Sequence, residues 1–75
     1  MNTYDPENVR HLNAVPPGRY EMVRTDPRNI CFRGTGRIVT VTGQLKRGGT
    51  LVEVIDSDKQ VYWWFYTAWV VPASN

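Results

Sequence analysis

From residue 19 onward, short runs of β-branched and aromatic residues alternate with turn sequences, and no run shows the spacing of an amphipathic helix. The chain has 75 residues, which suffices for one domain. Short strands with frequent turns are typical of a small sandwich or barrel. We therefore predict a single all-β domain of about five short antiparallel strands over residues 19–75. The strand-like runs are residues 19–24, 30–33, 37–42, 50–55, 60–66 and 70–71.

Residues 1–18 do not follow this pattern. They contain the breaker sequences Asp5-Pro6 and Pro16-Pro17-Gly18 and no regular apolar spacing. The segment predicts either a flexible tail or a partly helical piece beginning at Pro6, in which Val9 and Leu12 share one face. We expect a loose N-terminal segment that orders when it meets a partner.

The composition suggests a cytoplasmic protein. Cys31 is the only cysteine, so one chain forms no internal disulfide, and its neighbours Ile30 and Phe32 favour a buried thiol. The first ten residues lack the apolar run of a signal peptide. The most apolar stretch, residues 61–71, is too short and too polar to span a bilayer, so no membrane contact is expected.

The net charge of +2 is concentrated in the middle of the chain. Residues 19–47 hold seven basic and two acidic side chains, and most of the cations are arginine. Arginine is favoured in interfaces because its planar fork pairs with carboxylate and phosphate groups. This middle part predicts a cationic partner-binding region, although a solvated charged surface would have the same composition. Its candidate residues are Arg28, Arg33, Arg37, Lys46 and Arg47.

The run of residues 61–66 is aromatic on both faces of a strand. Alternation places Val61, Trp63 and Phe65 on one face, and Tyr62, Trp64 and Tyr66 on the other. The first face has fewer polar atoms, so we expect it to be the core face. The second face is amphipathic throughout, as interface residues often are, and it predicts a binding surface made by Tyr62, Trp64 and Tyr66. Packing under the N-terminal segment or in a dimer is the alternative.

Two segments resemble an SH3-like barrel. The pair Trp63-Trp64 is similar to the tryptophan pair that opens the fourth strand of SH3 domains, and residues 68–72 resemble their closing turn and strand. The resemblance covers about residues 19–72 and includes the loop glycines Gly34 and Gly36. SH3 domains have an acidic region before the second strand and an N-terminal Ala-Leu-Tyr-type motif. Here that region is arginine-rich and the motif is missing, so the resemblance implies the fold and not proline-peptide binding.

No set of residues predicts catalysis, a cofactor site or a metal site. His11 is the only histidine and lies in the N-terminal segment, and Asp56 and Asp58 belong to a turn sequence. Residues 43–50 approach the spacing of a phosphate-binding loop, but Gly49 occupies the position that needs lysine, and a strand-like run follows. We therefore expect a protein that is not an enzyme.

These observations favour a non-enzymatic protein-binding regulator. Its size, basic region and aromatic face are similar in type to those of small phage-encoded proteins that inhibit or modulate host RNA polymerase, so this is the narrowest hypothesis. The alternative is a small nucleic-acid-binding barrel with an arginine-rich face and base stacking on aromatic side chains. Salt distinguishes the two, because phosphate contacts weaken steeply as ions compete. The oligomeric state is open.

Overall fold

The computed structural model describes residues 6–29 and 36–73, which form one antiparallel sheet and no α-helix. The strand order in the sheet is β1-β6-β2-β3-β4-β5. The all-β class expected from the sequence is confirmed, and the sheet is compatible with a small barrel. The strands are β1 (Arg10–His11), β2 (Gly18–Arg24), β3 (Ile38–Lys46), β4 (Leu51–Ile55), β5 (Val61–Phe65) and β6 (Trp69–Pro72).

The hairpin between β4 and β5 forms where the sequence predicts a turn. The Asp56 carboxylate accepts hydrogen bonds from the backbone N–H groups of Asp58 and Gln60, both at 2.9 Å. Such side-chain bonds to the backbone are the reason that aspartate is common in turns. The turn sets the register of the hairpin, in which Glu53 lies opposite Trp63.

Strand β3 extends beyond its predicted end. The predicted strand ends at residue 42 and the sequence predicts a loop up to residue 49, but residues 43–46 continue the strand after a register shift between Val41 and Leu45. Gly43 sits in this shift with φ +91°, and a Cβ there would lie 3.0 Å from Cγ of Pro17. Glycine is required for both reasons, since side-chain-bearing residues rarely adopt this φ and the space is already filled.

The N-terminal segment differs from the expected tail. Residues 10–11 pair with β6, and the N–H of Leu12 donates to the carbonyl of Ala68 at 2.9 Å. Leu12 is completely buried. The sequence offers a helical piece beginning at Pro6 as one interpretation of this segment. The structure has two short 3₁₀ turns there instead, Pro6–Asn8 and Leu12–Ala14. This segment therefore contributes to the core of the domain.

The core is formed by the inward-facing residues of the sheet. Trp64 is its largest side chain, and valines of β3, β4 and β6 surround it together with Met22. The predicted strand at residues 30–33 and the predicted burial of Cys31 lie outside the described residues. The buried apolar set is Leu12, Tyr20, Met22, Val39, Val41, Val52, Val54, Trp64, Ala68, Val70 and Val71.

Candidate functional site: the outer surface of β5

The two faces of β5 are the reverse of the sequence prediction. Trp64 was assigned to the binding face, but only 1% of its surface is exposed, and it lies opposite Val52 in the core. Tyr62 and Tyr66 are partly buried and pack against the same core. The physical reason is volume: in so thin a core the indole ring fills space that small side chains leave empty. The prediction that Trp64 belongs to an exposed binding face is therefore wrong.

The face predicted to be core points outward instead. Val61 is 52% exposed, while Trp63 and Phe65 are half-buried on the outside of the sheet. The apolar side chains of Leu51 and Ile55 lie directly opposite Phe65 and Val61 in the neighbouring strand β4. Half-exposed aromatic side chains on a sheet exterior are a recognised feature of interaction sites.

A cationic group lies over the ring of Trp63 and another lies over the ring of Phe65. The Lys46 ammonium lies 4.1 Å from the centroid of the Trp63 ring, and the Arg28 guanidinium lies 4.0 Å from that of Phe65. Both distances fall within the range of cation–π attraction. We call this set the outer β5 surface. It consists of Val61, Trp63 and Phe65 with Arg28 and Lys46.

The position of Arg28 is set by a buried carboxylate. Asp26 accepts hydrogen bonds from Arg28 Nε at 3.0 Å, from Arg28 Nη2 at 2.9 Å and from the Arg28 backbone N–H at 2.8 Å. The Thr67 hydroxyl donates to the same carboxylate. The Arg28 side chain and then the Thr67 hydroxyl hold the pKa of Asp26 well below its usual range. The guanidinium is thereby fixed over Phe65, and the Arg28 side chain as a whole remains 58% exposed.

The same turn is attached to the edge of the sheet by Asn29. Its side-chain oxygen accepts a hydrogen bond from the N–H of Phe65 at 2.9 Å, and its own N–H donates to the carbonyl of Asp26. Asn29 is buried, so this contact is shielded from water. The turn predicted at residues 26–29 is therefore present, and it fixes the position of Arg28 relative to β5.

The remaining predicted cations are not all part of this surface. Arg47 follows Lys46 in the 3₁₀ turn Arg47–Gly49, with φ 53°, and is exposed. Arg37 is exposed just before β3, and its carbonyl accepts a hydrogen bond from Met22. Arg33 lies outside the described residues. The structure thus brings Arg28 and Lys46 together with the aromatic strand, and their role in binding stays a prediction.

A groove lies at the other end of the sheet from β5, beside β1 and β6. Its volume is about 300 Å³, and Arg10, Val15, Tyr20 and Pro72 are among its lining residues. The Tyr20 hydroxyl donates to the carbonyl of Pro16 at 2.7 Å, and burial raises the pKa of Tyr20. The Arg10 guanidinium is bonded to backbone carbonyls. The Tyr20 hydroxyl and one Arg10 nitrogen at this groove therefore already have hydrogen-bond partners within the chain.

Within the described part of the chain, no group of three or more histidine, cysteine or acidic residues could hold a metal ion. The His11 ring packs edge-on against Trp69, with 3.9 Å between ring centroids and 63° between ring planes. Residues 6–29 and 36–73 contain no helix that is long and apolar enough to cross a membrane. These observations leave the outer β5 surface as the strongest candidate site.

Comparisons with protein-family models, curated proteins and solved structures find no match to this chain.

Proposed function

We propose that this domain is a binding module that recognises an acidic protein segment through the outer β5 surface. The observation that carries the proposal is the pair of cations held over the Trp63 and Phe65 rings. Aromatic and arginine side chains are the residues that contribute most to binding energy in protein interfaces. Because Lys46 makes no ion pair with any described residue, its ammonium is available for a carboxylate.

The side chain of Arg28 is held in position before any partner binds, which favours binding. The Arg28 side chain is held by two hydrogen bonds to Asp26, so little of its conformational freedom remains to be lost on binding. A bound carboxylate would meet a guanidinium already in position. Asp26 pairs with the charge of Arg28, so Arg28 contributes a fixed guanidinium with N–H groups left over for a partner, together with its contact with Phe65.

The nucleic-acid alternative has less support. That alternative uses Tyr62, Trp64 or Tyr66 for base stacking, and of these Trp64 is buried in the core. The outer rings already have cations against one face, where a base would have to compete. A net charge of +2 is also small for an interaction dominated by phosphate contacts.

The narrower hypothesis names a class of partner. A phage-encoded inhibitor or modulator that binds host RNA polymerase in the cytoplasm, built on an SH3-like barrel, stays a prediction from the sequence. Its support is the small all-β fold together with a cationic and aromatic surface. The proposal of a protein-binding surface does not depend on this identity.

The test is affinity capture from a bacterial lysate, with and without nuclease, and with washing at physiological salt because high salt would screen contacts between Lys46 and an acidic segment. Lys46→Glu should lower the amount of captured partner at least tenfold, because it places a negative charge against an acidic segment. Lys59→Glu is the matched control, since it makes the same charge change at an exposed turn residue. Trp63→Ala should also lose the partner. Equal capture by wild type and Trp63→Ala would refute the proposed surface, and loss of all capture with nuclease would favour the nucleic-acid alternative.

A further inference from the structure

We infer that the partner's contacting segment is an extended acidic peptide that adds to the open edge of β5 as a further antiparallel strand. This inference rests on the proposed function and specifies how the outer β5 surface is used. In the sheet formed by residues 6–29 and 36–73, β5 is a terminal strand, and β4 is its one neighbour among those residues. A terminal strand offers unpaired backbone groups to any chain that lies alongside.

The direction of the backbone groups follows from the hydrogen bonds at the end of β5. The N–H of Tyr66 donates to the carbonyl of Thr50 across the β4–β5 hairpin, whereas the N–H of Phe65 points away and donates to Asn29. In an antiparallel pair this direction alternates from residue to residue. The N–H and C=O groups of Val61 and Trp63 therefore point toward the open edge.

These groups have no hydrogen-bond partner among residues 6–29 and 36–73. Val61 and Trp63 each offer one donor and one acceptor there. The N–H of Phe65 is the next group that points toward this edge, and it already donates a hydrogen bond to the side-chain oxygen of Asn29. Phe65 is therefore not available to an added strand in the way that Val61 and Trp63 are. An added strand consequently pairs with two residues of β5 and stops beside the turn that carries Arg28.

The side chains of such a strand alternate, and those opposite Val61 and Trp63 share the outer face with them. Opposite the exposed Val61, an apolar residue is favoured. Opposite Trp63, an acidic residue comes close to the Lys46 ammonium, and a second acidic residue two positions earlier approaches Arg28. The surface therefore selects the pattern acidic-x-acidic-x-apolar.

A second copy of this chain fits the same edge less well. Pairing of two β5 edges would bring the Lys46 and Arg28 side chains of both copies to the same face. Like charges close together oppose association. All strand pairs of the sheet are antiparallel, and antiparallel ladders are slightly more stable, so the added strand is assigned this direction.

The test uses the synthetic peptide acetyl-Ser-Glu-Thr-Glu-Thr-Val-Ser-amide and the full chain, titrated by ¹⁵N–¹H NMR. Binding should shift the backbone amide signals of Val61 and Trp63. In the antiparallel arrangement the N–H of the second glutamate of the peptide donates to the backbone carbonyl of Trp63. The N–H of the first threonine of the peptide points away from β5. N-methylation of that glutamate should weaken binding at least tenfold. N-methylation of that threonine is the matched control and should leave the dissociation constant unchanged.

The outcomes separate this inference from the proposed function. If the peptide methylated on glutamate binds as tightly as the unmodified one, and Trp63→Ala still abolishes binding, then strand addition is wrong while the surface stands. Absence of any shift at Val61 and Trp63 also overturns strand addition, and the capture experiment then judges the surface independently. Concentration-dependent shifts of the same amides without peptide would identify a second copy as the occupant and overturn the inference.

Discussion

Trp63 and Trp64 are adjacent in sequence but lie on opposite faces of β5, so replacing each with alanine should destabilise the domain to a very different extent. Trp64→Ala removes the largest buried side chain, and such substitutions cost about 3–5 kcal/mol. At about 0.05–0.15 kcal/mol per residue, the whole domain is stable by roughly 4–11 kcal/mol. The substitution therefore removes a large part of the stability, or all of it. We expect Trp64→Ala to lower the free energy of unfolding by about 3–5 kcal/mol, which unfolds the domain outright if its total stability is near the lower bound.

Trp63→Ala should behave differently although the residue is next in the sequence. Trp63 is half-buried and its specific contact is the cation–π interaction with Lys46, which is worth about 0.5–1 kcal/mol at exposed sites. Loss of part of its apolar contact adds to this, and we expect a total of about 1–2 kcal/mol. In a domain of this size about 1 kcal/mol shifts Tm by roughly 4–8 °C.

The assay is urea and thermal unfolding followed by circular dichroism, with tryptophan fluorescence from the remaining indoles as a second probe. Trp64→Phe serves as a milder variant that stays folded and still reports the loss of core volume. A destabilisation by Trp63→Ala equal to that by Trp64→Ala would refute the assignment of faces. A fully stable Trp64→Ala would refute it as well.

Two further predictions concern the turn and the N-terminal segment. The pKa of Asp26 is lowered in the folded state, so its contribution to stability is present above about pH 4, the usual value for aspartate, and is lost as pH falls through the folded pKa. The stability difference between wild type and Asp26→Asn should accordingly shrink in acid, and urea midpoints from pH 7 to pH 2 measure it; a constant difference contradicts this role. Leu12→Ala should cost about 2–5 kcal/mol because Leu12 is fully buried, whereas the exposed neighbour Asn13→Ala should change the urea midpoint little. A negligible effect of Leu12→Ala would show that the segment is dispensable for folding.

The strand pattern was readable from the sequence because β-branched residues and turn chemistry agree. The two-fold alternation of Val52 and Val54, with Glu53 between them, marks the inner and outer faces of β4. The Asp56 turn then fixes the register that places Glu53 opposite Trp63. The outward direction of Trp63 was therefore encoded in the sequence. The number of polar atoms on each face of β5 predicts the opposite orientation, and it is a weaker criterion than cross-strand register.

Other features of the site have no signal in the sequence. The contacts of Lys46 and Arg28 with the outer rings join positions many residues apart, and charge clustering alone does not indicate which cations meet an aromatic ring. The burial of Leu12 likewise depends on pairing between the two ends of the described chain. Long-range contacts of this kind follow from topology, and local propensity does not specify them.

The place of β6 in the sheet has a consequence for how the domain forms during synthesis. β6 is the last strand to be made, yet it lies between β1 and β2, the first two. Because the exit tunnel of the ribosome encloses the most recently added residues, β6 reaches β1 and β2 only after it has left the ribosome. Until then β1 has no neighbour and one edge of β2 is unpaired, although β2 to β5 pair with strands that adjoin them in sequence. A nascent chain stalled before β6 emerges would expose that edge of β2 to chaperones and to other chains.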